Sequence, residues 1–186
     1  LKIPEVYRSI LSKEISANIN KMEQEFNYDI LVIGGGSGGI SAARTASSFG
    51  KRVALCDFVK PSPKGTKWSV GGTCVNVGCI PKKLMHYSAF CGELKHDQTE
   101  CGWKIDEGAE FDWDTMRRNV SNHIFSANSG YKKTFKAENV HYLNKLASFV
   151  DKHTILLKDA KGAEERVTAQ YILIATGGRP FYPDVP

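Results

Sequence analysis

No stretch of this sequence approaches the roughly 18 consecutive apolar residues that a membrane-spanning helix needs, so no such helix is expected. An excess of one charge is also missing. The formal net charge is only +5, and Lys82-Lys83 and Arg117-Arg118 are isolated pairs, so a nucleic-acid surface is not expected. Internal repeats and low-complexity tracts are absent. The N-terminal segment lacks the basic start and apolar stretch of a signal peptide. Its acids, Glu5, Glu14, Glu23 and Glu25, are foreign to a transit peptide. The five cysteines are odd in number and irregular in spacing, unlike a secreted disulfide scaffold. Together these absences lead to the expectation of a cytoplasmic protein whose sequence continues upstream of Leu1. In a reducing compartment a close cysteine pair is more often catalytic or metal-binding than structural.

What is present is 186 residues of ordinary globular composition, 41% hydrophobic and 24% charged, enough for one domain and an appendage. Val6, Ile10, Ile15, Ile19, Met22 and Phe26 form a helical stripe, so residues 1–27 read as a helical linker or the end of an upstream domain. The pattern then changes. Asp29-Ile-Leu-Val-Ile33 is an apolar run suited to a strand buried on both faces. Residues 34–39 interrupt it, 40–49 read as a helix with Gly50 at its end, and Val53-Ala-Leu-Cys56 reads as a second strand. This is a β-α-β unit with a right-handed crossover. Residues 60–72 are a loop punctuated by Pro61, Pro63, Gly65 and Gly71-Gly72. One helix is expected from near Cys74 toward Leu94, and another from Trp113 to about Phe135. Short strands are expected at 140–143, 147–150, 154–157 and 166–175, with turn residues at 159–162.

Two motifs carry chemistry. The first, Gly34-Gly-Gly36-Ser37-Gly-Gly39, fits G-x-G-x-x-G between a buried strand and a helix. Gly34 permits the tight turn, Gly36 lets backbone approach a pyrophosphate, and Gly39 lets helix and strand pack closely. The helix N-terminus offers free amides and about half a positive charge to phosphates. Asp57 ends the second strand roughly 20 residues on, where an acid takes a ribose hydroxyl pair. The motif does not choose between NAD and FAD, but an acid there would repel the 2′-phosphate of NADP.

The second motif is Gly71-Gly72-Thr73-Cys74-Val-Asn-Val-Gly-Cys79-Ile-Pro-Lys82-Lys83. Four intervening residues on a helical turn can bring two α-carbons within disulfide range. A cysteine at a helix N-terminus is expected to have a lowered pKa, and Lys82 adds a cation. A structural disulfide fits the compartment poorly, and zinc would want a second ligand pair that His86 alone does not make. Cys56 reads as inert core, Cys91 and Cys101 as bystanders, and His86 as a helix-face residue.

The cysteine segment resembles the signature of the flavoprotein disulfide reductases, which include glutathione, dihydrolipoamide and thioredoxin reductases. The longer loop from Asp57 to Trp68, with Lys82-Lys-Leu-Met-His86, Gly102-Trp103 and Asn122-His-Ile124, is similar to the large, animal-type thioredoxin reductases. Ile174-Ala175-Thr176-Gly177 matches the family's second flavin motif, while Gly178-Arg-Pro is closer to glutathione reductases. Ser69-Val70 and Ser126-Ala-Asn-Ser-Gly130 also depart from the usual residues.

The resemblance implies an α/β fold in which 28–186 is the N-terminal part of a Rossmann-like FAD-binding domain. A βαβ parallel sheet would carry a small antiparallel β-meander, and the NADPH and interface domains would lie outside the chain. It implies that electrons pass from NADPH through FAD to the Cys74–Cys79 disulfide, and on to thioredoxin or a related disulfide, within a homodimer. Carried over by position, Cys79 faces the flavin, Cys74 attacks the next disulfide, and Lys82 tunes the flavin. FAD contacts are implied for Gly34, Gly36, Ser37, Gly39, Asp57, Gly72, Thr73, Cys79, Lys82, Ala147, Ala175, Thr176 and Gly177. An upstream glutaredoxin domain, a glutathione reductase-like acceptor, and a flavin-binding piece that turns nothing over stay open as alternatives. The 186 residues alone are expected to show no NADPH-dependent turnover.

Overall fold

The computed structural model describes residues 26–62, 65, 67–104, 108, 110–179, 181 and 183–185, so the helical stripe expected over 4–26 lies outside the described residues apart from Phe26. Six strands form one sheet in the order β3-β2-β1-β6-β5-β4, where β1 is Tyr28–Ile33, β2 Val53–Cys56, β3 Val140–Leu143, β4 Leu146–Phe149, β5 Thr154–Lys158 and β6 Glu164–Ile174. Strands β3, β2, β1 and β6 run parallel, while β6, β5 and β4 form the antiparallel meander. The long β6 belongs to both parts. Its first half pairs with β5 as far as Thr168↔Thr154, and its second half pairs with β1 from Ala169↔Tyr28 onward. The expected α/β architecture with a meander is therefore the observed one.

Among the described residues, four helices connect these strands: α1 is Ser37–Ser48, α2 Gly72–Val77, α3 Cys79–Glu100 and α4 Trp113–Ala137. The β-α-β unit forms because the Val, Ile and Leu of β1 and β2 can be covered on both sides. Val32, Val53 and Leu55 pack on one face with Ile40 and Ala43 of α1 and Phe135 of α4. Leu31, Ala54 and Cys56 pack on the other with Ile155 and Leu157 of the meander. All of β2 is buried, whereas only Leu31 and Val32 of β1 are, so the expectation of a strand buried on both faces holds for the centre of β1 alone. Asp112 caps α4, its side chain accepting from the Thr115 amide at 3.1 Å.

The largest departure from the sequence reading lies at the cysteines. The single helix expected from near Cys74 is two helices broken at Gly78, whose backbone leaves the helical region (φ −127°, ψ −109°). A side chain at Gly78 would come within 2.9 Å of the Thr73 carbonyl oxygen, so the break depends on glycine. Helix α3 also runs six residues beyond the expected Leu94, to Glu100, and α1 begins three residues earlier than expected, at Ser37. Helical periodicity locates such helices well and their ends poorly.

Candidate active site

Strands β1, β2 and β6 all end at one cavity of about 800 Å³, the position outside the carboxyl ends of parallel strands where this architecture binds ligands. Its wall is drawn from residues 34–38, 56–60, 72–74, 145–147 and 175–179, together with Ile33 and Trp68. Backbone meets backbone here. Gly34 adopts φ +116° and donates to the Cys56 carbonyl at 2.7 Å, and a Cβ on it would overlap the Ala175 carbonyl oxygen. A Cβ on Gly39 would overlap the Gly34 carbonyl oxygen, so this glycine serves the packing of α1 on β1. Gly39 does not line the cavity, and to that extent it departs from the implied set of cofactor contacts.

Asp57 stands where the sequence placed its acid. One carboxylate oxygen accepts the Gly35 amide at 3.0 Å, and Oδ2 has no protein partner among the described residues. Burial raises its pKa above the usual carboxylate range, and the Gly35 amide partly offsets this. Cys56, beside it, donates to the Lys145 carbonyl at 2.7 Å, and burial pushes its thiol up to about 12. It is the inert core thiol that was expected.

The cysteine turn is docked directly on the glycine loop. Gly71 donates to the Gly35 carbonyl at 2.7 Å, and a Cβ on Gly72 would fall 2.6 Å from the Gly36 α-carbon. Cys74 in α2 is half-buried and lines the cavity; Cys79 opens α3 and is exposed, as is Lys82 one turn later. Both cysteines are free thiols. The expected lowering of a cysteine pKa is corrected for Cys74, which is raised. A hydrogen bond with the Cys79 thiol is the chief cause, burial adds to it, and the Lys82 charge opposes it. Two neighbouring thiols that share a proton resist the loss of both, and a helix of six residues offers little field against that.

Of the residues the sequence pointed to, the structure brings Gly34, Gly36, Ser37, Asp57, Gly72, Thr73, Cys74, Ala147, Ala175, Thr176 and Gly177 onto one wall. It leaves Gly39, Cys79 and Lys82 off it. The cysteine implied to face the flavin is thus the one farther from the cavity wall. Sequence reasoning missed a clasp across the mouth. The Arg179 guanidinium lies 4.5 Å from the centre of the Trp68 ring and donates to the Lys60 carbonyl at 2.6 Å, and Thr73 donates to the Gly178 carbonyl at 3.3 Å. Trp68 and Arg179 are more than a hundred residues apart, and no local pattern announces such a pair.

A cradle of backbone that side chains would fill, free amides at the start of α1, and an acid at the end of β2 fit a dinucleotide cofactor. Comparison with known proteins agrees. Residues 28–186 match the pyridine nucleotide-disulphide oxidoreductase family. The chain is 53% identical over 162 residues to a thioredoxin reductase, SEP1, of Emiliania huxleyi, and 48% identical over 163 residues to the mitochondrial thioredoxin reductase 2 of Drosophila melanogaster. Each match takes in 87% of this chain and 32% of the relative, so the chain spans about a third of their length.

Proposed function

This chain belongs to the pyridine nucleotide-disulphide oxidoreductase family, and from that premise we propose that it is the flavin-binding part, over 28–186, of a thioredoxin reductase. The observation that carries the proposal is the docking of the cysteine turn on the glycine loop through Gly71–Gly35 and Gly72–Gly36. That contact puts Cys74 on the same cavity wall as Asp57 and the 175–177 segment. A dithiol fused in this way to a dinucleotide cradle suits electron transfer between them. A flavin bound there supplies two-electron exchange between a nicotinamide donor, NADPH, and the thiol pair.

The chain's own residues do the rest. Gly36 and Ser37 would present backbone amides to the pyrophosphate, Gly34, whose amide is taken by the Cys56 carbonyl, would shape the turn beneath it, and Asp57 would accept from the ribose through its unpartnered oxygen. Cys74 and Cys79 pass between a disulfide and two thiols by taking up two electrons and two protons. In the reduced pair the Cys74 proton is held by its neighbour, and Lys82 favours its release. By its position in the family motif Cys79 is assigned to the flavin side and Cys74 to the incoming disulfide, although Cys74 is the one that lines the cavity here. Thioredoxin is the acceptor proposed, because both relatives carry that name. The complete enzyme is proposed to be a homodimer.

The test is Cys79→Ser in the full-length protein. Disulfide reduction should fall by at least 1000-fold with flavin still bound, and undiminished turnover overturns the proposal. Cys74→Ser should keep a long-wavelength thiolate–flavin band that Cys79→Ser loses; the opposite pattern exchanges the two assignments.

A further inference from the structure

Among the described residues, the buried polar side chains are two asparagines, Asn76 at 8% exposure and Asn128 at 7%, and they touch. Asn76 sits in α2 between the two cysteines. Its amide nitrogen donates to the Ser69 and Gly72 carbonyls, each at 2.8 Å, and its oxygen accepts the Ser69 amide at 3.1 Å. Asn128 comes from α4, 52 residues along the chain. Its nitrogen donates to the Val70 carbonyl at 2.7 Å and to the Asn76 oxygen at 3.2 Å. The orientation of both amides follows from their partners, because carbonyls only accept and a backbone N–H only donates.

This network supports an element that cannot hold itself. Helix α2 has six residues, lies between Gly71 and Gly78, and has no side-chain cap. A helix that short is not stable by itself in water. Gly71 and Thr73 tie its start to the Gly35 and Gly178 carbonyls, and buried contacts fix the rest: Val70 and Val75 in apolar packing, and the amide pair in polar packing. Apolar packing has no direction, whereas the Asn128 bonds set the angle and height of α2 against the long α4.

We propose that Asn128 is a positioning residue for the cysteine pair. By tying the Val70 carbonyl and the Asn76 amide to α4, it keeps Cys74 beside Cys79 in the reduced state. Closing the disulfide then takes little further backbone order. The inference rests on the redox reading of Cys74 and Cys79. With glutathione disulfide as oxidant, the two thiols form one S–S bond. The S–S bond of glutathione breaks, and its two sulfurs take the two protons and two electrons as two molecules of glutathione.

The experiment equilibrates the full-length protein in glutathione redox buffers and measures the oxidised fraction of the pair by alkylation and peptide mass spectrometry. Asn128→Asp keeps the shape but sets a carboxylate against two oxygens, and Asn128→Ala removes the amide. Each should lower the equilibrium constant for closure about tenfold, which is about 30 mV for a two-electron couple. Alkylation rates of the exposed Cys91 and Cys101 should stay unchanged. If the unmodified protein forms no Cys74–Cys79 disulfide, the reductase reading itself fails. If it forms one and the folded Asn128 variants hold the same equilibrium, the positioning role is overturned. Should neither variant fold, hydrogen exchange in the unmodified protein decides. Amides of 72–78 should be protected to within about threefold in the reduced and oxidised forms, and a reduced form exchanging faster than that overturns the inference.

Discussion

The glycine loop at 34–39 and the cysteine turn at 72–79 meet at Gly36 and Gly72, yet buried polar side chains hold only the turn. The loop is held by what it lacks. Its chain runs against the 175–176 backbone and the α1–β1 seam with no room for a methyl group at Gly34 or Gly39, and it offers a ligand backbone and the small Ser37. The turn shares that need for glycine at Gly72 and Gly78, but it is also held by what it has: two buried amides and two buried valines behind it, while its sulfurs face the cavity and solvent. A binding cradle built from backbone is damaged by additions. A redox turn backed by side chains is damaged by losses as well. The difference suits the two tasks, since a phosphate needs a fixed concave surface and thiol exchange needs accessible sulfur on a fixed support.

The sharpest way to break this comparison is to add one methyl group to the loop. In Gly39→Ala the new carbon overlaps the Gly34 carbonyl oxygen and falls 3.2 Å from the Val32 side chain, so α1 must lift from β1. Overpacking of this kind costs about 3 kcal/mol, more than the ~1 kcal/mol that alanine gains over glycine within a helix. Urea unfolding should show a midpoint well below that of the parent chain. Gly34→Ala should behave alike, with the added strain of φ +116°. An unchanged midpoint in both would mean that the cradle is not held sterically at all.

Charge at the cradle sharpens the comparison more gently. Asp57 is the acid of the loop region, and burial raises its pKa, so the fold disfavours its charged form. The sign follows. Stability associated with this group is fully present below the usual carboxylate pKa of about 4, and is lost as pH rises through the raised folded value. Asp57→Asn keeps an oxygen for the Gly35 amide at the observed geometry and removes the charge. Without ligand, the variant should match the parent near pH 3 and unfold at a higher temperature at pH 7, by less than the Gly39→Ala loss. Its flavin affinity should fall, since an amide oxygen is a weaker acceptor for ribose than a carboxylate. Thermal unfolding at both pH values tests the first part, and flavin retention on gel filtration the second.

Much of this arrangement was legible in the sequence, and the reason is physical. The strand, glycine loop, helix, second strand and Asp57 occur in chain order because each constrains the next within about 25 residues. The cysteine motif was legible because the sulfur atoms themselves are the chemistry. What escaped notice depends on contacts between distant segments. Asn128 in α4 and Asn76 in α2 look like ordinary helix residues until the fold buries both. Trp68 and Arg179 meet only because β6 returns the chain to the mouth of the cavity. The direction of the Cys74 shift was misread for a related reason. The sequence showed a helix start and a lysine, whereas the larger influence is the second thiol, brought within hydrogen-bond reach by the break at Gly78.

The smallest expected effect tests whether the glycines of the two regions differ as argued. Gly92 lies in α3, exposed, with ordinary helical φ, and a Cβ there would meet nothing within 4 Å. It therefore carries glycine's entropic penalty with no steric need for it. Gly92→Ala removes backbone freedom from the unfolded chain and should stabilise the protein by about 0.5–1 kcal/mol, the reverse in sign of Gly39→Ala. Both positions are helical and both changes add one methyl group, so propensity alone predicts the same gain at each. Opposite shifts in the urea midpoint separate the crowded cradle from the open helix that carries Cys79. A loss at Gly92 would instead mean that an unseen surface packs against α3 there.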